Sequence, residues 1–183
     1  MAVARSLRGY IERRDQRLMR RTNRWRAPRW VRIWMIGATR LGDGWIWYGL
    51  GILLFIYGGP QRFSAVCAAG SAAVVGIFVF KGLKRLSQRP RPCQIEPHCW
   101  SKVLPPDQFS FPSGHTMTAF SIALVVSYFY PSLEGVLFFL ALSIAVSRIV
   151  LGMHFLSDVL AGVVLGVALG CASVTAFASF GFV

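Results

Sequence analysis

Residues 112–158 read PSGHTMTAFSIALVVSYFYPSLEGVLFFLALSIAVSRIVLGMHFLSD, and this stretch decides the fold. It holds two apolar runs, 116–130 and 133–151, joined by a Pro131-Ser132 turn. Runs approaching twenty apolar residues read as membrane spans. His115, Arg148, His154 and Asp158 stand at or near the ends of these runs. Titratable groups beside spans are expensive to keep, so a chain that carries several has a use for them.

Outward from this pair the pattern repeats. Residues 157–180 form a further apolar run, as do 43–59 and 63–83, giving about five spans. Trp45, Trp47 and Tyr48 suit a membrane–water interface, and the Ala- and Gly-rich 63–83 run suits close packing against neighbours. Residues 84–115 form a long polar connection containing Arg89-Pro90-Arg91-Pro92 and Pro105-Pro106. Its prolines end helix and hold the backbone extended or turning. Over 183 residues, 55% are hydrophobic and the mean hydropathy is +0.53, too oily for a soluble domain of this length. The expected fold is all-α: a polytopic membrane helical bundle with an N-terminal amphipathic interfacial helix. Residues 1–42 form the basic interfacial segment and 43–183 the embedded domain.

The formal charge of +13 is unevenly spread. Twelve of the twenty basic residues precede Leu41, all of them Arg, opposed only by Glu12 and Asp15. Beside membrane spans such a segment is expected on anionic lipid headgroups, not on nucleic acid. Leu7, Tyr10, Ile11, Leu18 and Met19 predict one oily stripe on a helix over 5–26; a partly disordered basic tail is the plainer alternative. After Pro28, the residues Trp30, Ile33, Trp34 and Ile36 make a second amphipathic piece, too short and too charged to span. An arginine-rich start stays in the cytoplasm, so the chain is expected to be a multi-pass protein of the cell (inner) membrane. Five spans then return the 84–115 and 148–158 regions to the cytoplasmic face. If 28–42 crossed as a sixth span, both regions would face outside. The start lacks the short apolar core and cleavage site of a signal peptide. Cys67 and Cys171 sit in apolar runs as packing residues. A Cys93–Cys99 disulfide requires an oxidising compartment. No Cys/His set has metal-ligand spacing, and His98-Cys99 alone is a weak signal.

Three groups of residues carry chemistry. Pro112-Ser113-Gly114-His115 opens a helix, where glycine permits close backbone approach and free N–H groups attract anions; a turn with a solvated histidine is the plain alternative. His154 and Asp158, four apart, share a helix face. The carboxylate there fixes the imidazole tautomer and leaves the other nitrogen free to attack, or else the pair merely caps the last span. Arg148 needs an anionic partner, for which Asp158 is one candidate. Lys84 supplies a point charge and Arg91 a planar fork. Arg85 and Arg89 are explained by headgroups or topology, Asp107 and His98 by solvated loop, and Asp43 by a cap on the first span.

Together these residues spell Lys84-x6-Arg91-Pro92, Pro112-Ser113-Gly114-His115 and Ser147-Arg148-x5-His154-x3-Asp158. The chain resembles the type 2 phosphatidic acid phosphatase family over residues 43–180. These are membrane lipid phosphatases related to vanadium-dependent haloperoxidases. The resemblance implies hydrolysis of a lipid phosphate or diphosphate without metal or cofactor. Phosphatidic acid, phosphatidylglycerophosphate and polyprenyl phosphates or diphosphates such as undecaprenyl diphosphate are the candidate substrates. It implies that His154 attacks phosphorus to give a phosphohistidine, Asp158 orients it, and His115 protonates the leaving oxygen. Lys84, Arg91, Ser113, Gly114 and Arg148 would bind the phosphoryl oxygens. A non-enzymatic protein that binds or transports anionic lipid is the alternative reading; oligomeric state is not legible in the sequence.

Overall fold

The structure, a computed structural model, describes residues 2–96 and 107–179, without the side chains of 2–5, 7 and 8. Leu7 as a stripe position, His98, the Cys93–Cys99 pairing, Pro105-Pro106 and Phe180 lie outside what is described. Among the described residues eight α-helices follow in order: α1 (Ala2–Arg24), α2 (Arg29–Leu41), α3 (Trp45–Tyr57), α4 (Arg62–Ser87), α5 (Pro92–Ile95), α6 (Gly114–Phe129), α7 (Glu134–Val150) and α8 (Leu156–Ser179). Among the described residues there is no strand, only a single antiparallel bridge between Pro90 and Phe109. The all-α expectation holds.

Among the described residues, three helical segments are long and apolar enough to cross a membrane: Gly59–Ser87, Pro131–Val150 and Leu156–Ser179. The other two expected spans are helical but short. α3 has 13 residues and α6 has 16, about 20 and 24 Å at 1.5 Å per residue, against a hydrocarbon core of about 30 Å. Phe78, Val136, Phe139 and Val164 project outward from α4, α7 and α8. An apolar exterior of this kind belongs against lipid, where it needs no cover.

α6 is the hub, packed against α8, α4 and α7. Small residues make this close packing feasible. Ala65, Ala68 and Ala72 of α4 bury against Val125 and Phe129. On α8, Gly162, Gly166 and Gly170 form an every-fourth-residue stripe facing α6. A Cβ at Gly162 would lie 2.7 Å from the Ser113 carbonyl oxygen, and one at Gly166 2.5 Å from that of Met117. Small-xxx-small faces let helix backbones approach in this way, and here they draw the Pro112–His115 turn onto the start of α8. Gly166→Ala is therefore expected to lower stability despite alanine's better helix propensity. Overpacking against backbone costs about 1–3 kcal/mol, and propensity returns up to about 1 kcal/mol. An unchanged melting temperature in detergent would contradict this packing.

α1 and α2 differ from expectation in what they bury. Tyr10 and Ile11 are 47% and 40% exposed, whereas Asp15 and Met19 face the protein body at 4% and 7%. The inward face of the basic helix thus carries a carboxylate. α2 lies against α7; Met35 packs with Leu151 and Met153, and Trp34 stacks on Phe139 with ring centroids 5.8 Å apart. The ends of α4 and α7 and the starts of α6 and α8 meet at one end of the bundle, and contacts from α1 and α2 reach that same end.

Candidate active site

Two backbone features build this end. α4 stops at Gln88, which takes a left-handed conformation (φ 47°) and donates its amide to the Lys84 carbonyl; Pro90 and Pro92 prevent continuation. After α7, Gly152 adopts φ 67°, a region glycine enters without strain. The chain doubles back there, so the amides of Met153 and His154 both donate to the Arg148 carbonyl at 3.0 Å. This turn brings His154 beside Arg148. The result is a cavity of about 1020 Å³ whose walls include Lys84, Arg91, Gly114, His115, Arg148 and His154.

The two histidines are held as different tautomers. Arg91 Nη1 lies 3.3 Å from His154 Nε2. Guanidinium only donates, so Nε2 is the lone-pair nitrogen and Nδ1 carries the proton. That proton faces Asp158, whose Oδ2 is 3.7 Å from Nδ1. His154 Nδ1 has no closer partner. Asp158 also accepts the Phe155 amide at 2.9 Å. It therefore caps α8 in the manner of a capping-box acid while standing behind His154. His115 Nε2 meets Asp43 Oδ1 at 2.9 Å. A carboxylate only accepts, so this nitrogen carries a proton. One imidazole presents a lone pair and the other holds a proton on Nε2.

Arg148 is 1% exposed. Its Nη1 donates to Thr39 Oγ1 of α2, while Nε and Nη2 have no partner. The candidate pairing with Asp158 does not form. Asp158 Oδ1 instead accepts from Arg89 Nη1 at 2.6 Å. Among the described residues no carboxylate pairs with Arg148, so a buried cation with open donors lines the cavity beside His154. Such a group is stable only if an anion visits it.

Lys84 Nζ and Arg91 Nη2 both bind Asp107, at 2.5 and 2.7 Å. Arg91 is also anchored by its Nε on the Asp107 carbonyl and its Nη1 on the Met153 carbonyl. Burial raises the Asp107 pKa, but the hydrogen bonds from Lys84 and Arg91 outweigh it and hold the carboxyl below its ordinary range. Ser113 does not reach the cavity: its Oγ bonds Thr116 Oγ1 at 2.9 Å and the residue is fully buried. Gly114 does reach it, at the start of α6.

Sequence reasoning missed two residues, Thr39 and Asp15, and misread three, Asp107, Asp43 and Arg89. Asp107 is the counter-ion of two cations, not a solvated loop residue. Asp43 holds His115, while Gly44 precedes α3. Thr39 contacts Arg148. Arg89, put down to topology, grips Asp158 and also Asp15 of α1, at 2.7 Å. A carboxylate at position 15, alone with Glu12 among twelve arginines, was the one visible hint.

His154 sits between α7 and α8. Burial, then the charges of Arg148, Arg91 and Lys84, lower its pKa well below 6.5. The imidazole stays neutral as pH falls, while the unfolded chain takes up a proton at about 6.5. The stability that comes from this depressed pKa is present above about pH 6.5 and is lost progressively below it. In protein labelled at its three histidines, the imidazole NMR signal that vanishes in His154→Gln should remain at its neutral position well below pH 6.5. Titration of that signal near 6.5 would contradict the burial of this group.

Comparison with known proteins agrees with this geometry. The model of the PAP2 superfamily matches residues 64–181. The chain belongs to the PAP2 superfamily. The decaprenylphosphoryl-5-phosphoribose phosphatase of Mycobacterium tuberculosis is 34% identical over 134 residues, covering 73% of each chain. Phosphatidylglycerophosphatase B of Bacillus subtilis is 34% identical over 103 residues, 49% of this chain and 46% of that one. Among solved structures, LpxE of Aquifex aeolicus superposes with a TM-score of 0.69 at 30% identity, covering 87% of this chain and 93% of its own. A PAP2-type phosphatidylglycerolphosphate phosphatase from Bacillus subtilis gives 0.69 at 25% identity, covering 91% and 85%. Like these PAP2 relatives, the chain is a membrane protein and a phosphatase of lipid phosphates.

Proposed function

We propose that the chain removes phosphate from an amphiphilic lipid in two steps, with His154 as nucleophile. Nε2 of His154 attacks phosphorus and a phosphohistidine forms as the lipid oxygen leaves. Asp158 orients His154 and stabilises the imidazolium. His115 gives its proton to the leaving oxygen, then takes one from the water that releases phosphate. Lys84, Arg91, Arg148 and the Gly114 amide at the start of α6 hold the equatorial oxygens, where charge accumulates in the transition state. Ser113 contributes from behind by ordering that turn. Three cations thus supply the charge stabilisation for which other phosphatases use metal ions. The observation that carries this reading is Arg148, buried with two open donors in the same cavity as the lone-pair nitrogen of His154. Phosphate entering the cavity displaces Asp107 from Lys84 and Arg91.

An apolar groove of about 520 Å³ between α3 and α4 shares Trp47, Tyr48, Ala73 and Ile122 with the polar cavity. A lipid tail lying there reaches the site sideways from the bilayer. The Mycobacterium relative is named for a decaprenyl-linked phosphate, which favours a polyprenyl-linked phosphate or diphosphate over a glycerolipid. We further propose that residues 1–42 rest on anionic headgroups, that 43–183 form the catalytic domain, and that the site faces the cytoplasm of the cell membrane.

Purified protein given a panel of polyprenyl phosphates, polyprenyl diphosphates and glycerolipid phosphates tests the substrate class. Phosphate release should be greatest on the polyprenyl compounds and should persist in EDTA. Binding without release would favour a lipid carrier instead. Orientation has a separate test. Cys93 is a free, half-buried thiol near the site end, and in intact cells it should resist a membrane-impermeant maleimide. Ready labelling would put the site outside.

A further inference from the structure

Asp15 lies outside the residues matched to the PAP2 superfamily, on a helix otherwise crowded with arginine. It is 4% exposed, and among the described residues it bonds Ser157 and Arg89, both at the site. Its Oδ1 accepts the Ser157 amide at 3.1 Å and its Oδ2 accepts Ser157 Oγ at 2.5 Å. Oδ2 also accepts Arg89 Nη2 at 2.7 Å. Arg89 Nη1 in turn reaches Asp158 Oδ1 at 2.6 Å. The guanidinium is therefore divided between two carboxylates, one nitrogen to each.

This division matters for the proposed nucleophile. Left to itself, an arginine fork grips both oxygens of a single carboxylate. Here Asp158 Oδ2 is the oxygen facing His154 Nδ1. If Arg89 took both oxygens, Oδ2 would be neutralised and drawn away from the imidazole. By holding Nη2, Asp15 limits Arg89 to Oδ1 and leaves Oδ2, which accepts the Phe155 amide, clear of the guanidinium on the side of His154 Nδ1. The charge count agrees. Two carboxylates and one guanidinium leave one negative charge, which matches the positive charge that His154 acquires when it attacks.

We propose that Asp15 of the N-terminal helix is a positioning residue for catalysis, acting through Arg89 and Asp158 on His154. This rests on His154 being the nucleophile. The interfacial helix then does more than touch lipid, since its docking sets which carboxylate oxygen faces the attacking ring.

The test is Asp15→Asn in the full chain, which keeps shape and the acceptor for the Ser157 amide while removing charge. Expected is a fall in kcat of about tenfold, the size seen when a supporting partner is lost, with KM within about twofold. The His154 Nδ1 resonance should move, because the carboxylate facing it shifts. Adding Arg89→Lys to Asp15→Asn should recover at least half of the lost rate, since lysine has no fork to close on Asp158. Wild-type kcat in Asp15→Asn would overturn the proposal, as would a double variant no faster than the single. A rate loss that tracks a lower melting temperature and leaves the His154 signal unmoved would overturn it in favour of simple docking. Should Asp15→Asn not fold, Asp15→Glu serves: it should keep a split Arg89 and an unshifted His154 signal, and a shifted one would contradict the proposal. Failure of the nucleophile assignment is recognised independently, as turnover retained in His154→Ala.

Discussion

His154→Ala is expected to reduce phosphate release by at least about 10⁴-fold, with the folded protein and its lipid binding intact. The size follows from the role. Loss of a nucleophile removes the covalent route entirely, and what remains is positioning and electrostatics. Alanine leaves Arg91 bonded to the Met153 carbonyl and Asp107, so the anion site itself should survive. KM should therefore change little while kcat collapses. A variant that still turned over within about tenfold of wild type would mean that water attacks phosphorus directly and that His154 merely lines the cavity. The measurement is a phosphate-release assay on detergent-solubilised protein, with melting temperature recorded alongside.

Arg148→Met should separate function from stability, because its two effects run in opposite directions. Activity should fall roughly 10²–10³-fold, the usual loss when one preorganised donor to a developing oxyanion is removed. Stability should hold or rise. Arg148 is buried with two open donors and no paired carboxylate among the described residues, and replacing an uncompensated buried charge by an apolar side chain of similar length relieves desolvation. Functional sites keep strain of this kind where activity needs it. A structural arginine would behave otherwise: Arg148→Met would lose melting temperature and keep its rate.

How far the sequence foretells this site depends on the kind of contact. Cations, imidazoles and a carboxylate in apolar runs stand out, so Lys84, Arg91, His115, Arg148, His154 and Asp158 are all legible, and the structure gathers them at one end. Local spacing is legible too, since His154 and Asp158 are four apart and do face each other. Pairings between distant segments leave no such trace. Arg89 and Asp15 are 74 positions apart, and Arg148 and Thr39 are 109 apart; no periodicity reports either. The same blindness left Asp158 as a candidate partner for Arg148, when Arg89 takes it in the fold. Asp107 looked like loop because it sits in a polar connection, yet two cations converge on it from α4 and from the turn at 91. Ser113 was expected to touch phosphate, but its hydroxyl is satisfied by Thr116 within its own turn.

The fold shows the same division. Helix positions follow from apolar run lengths, and every expected run is helical. The ends are less legible, because glycines trim them. Gly44 at φ 118° and Gly58 bracket α3, shortening the expected 43–59 run to 13 residues. The amphipathic reading of α1 found a stripe by hydropathy alone. It could not anticipate that the buried face would be organised by an ion pair at Asp15.

The covalent step is tested most directly by acid-sensitive trapping. Wild-type protein would be mixed with lipid substrate labelled in its terminal phosphate, quenched within a turnover in alkaline denaturant, and digested for mass spectrometry. Expected is a phosphoryl group on the peptide bearing His154, stable to base, lost in mild acid and absent from His154→Ala. Label on another residue, or turnover with no phosphoenzyme at any quench time, would contradict the account.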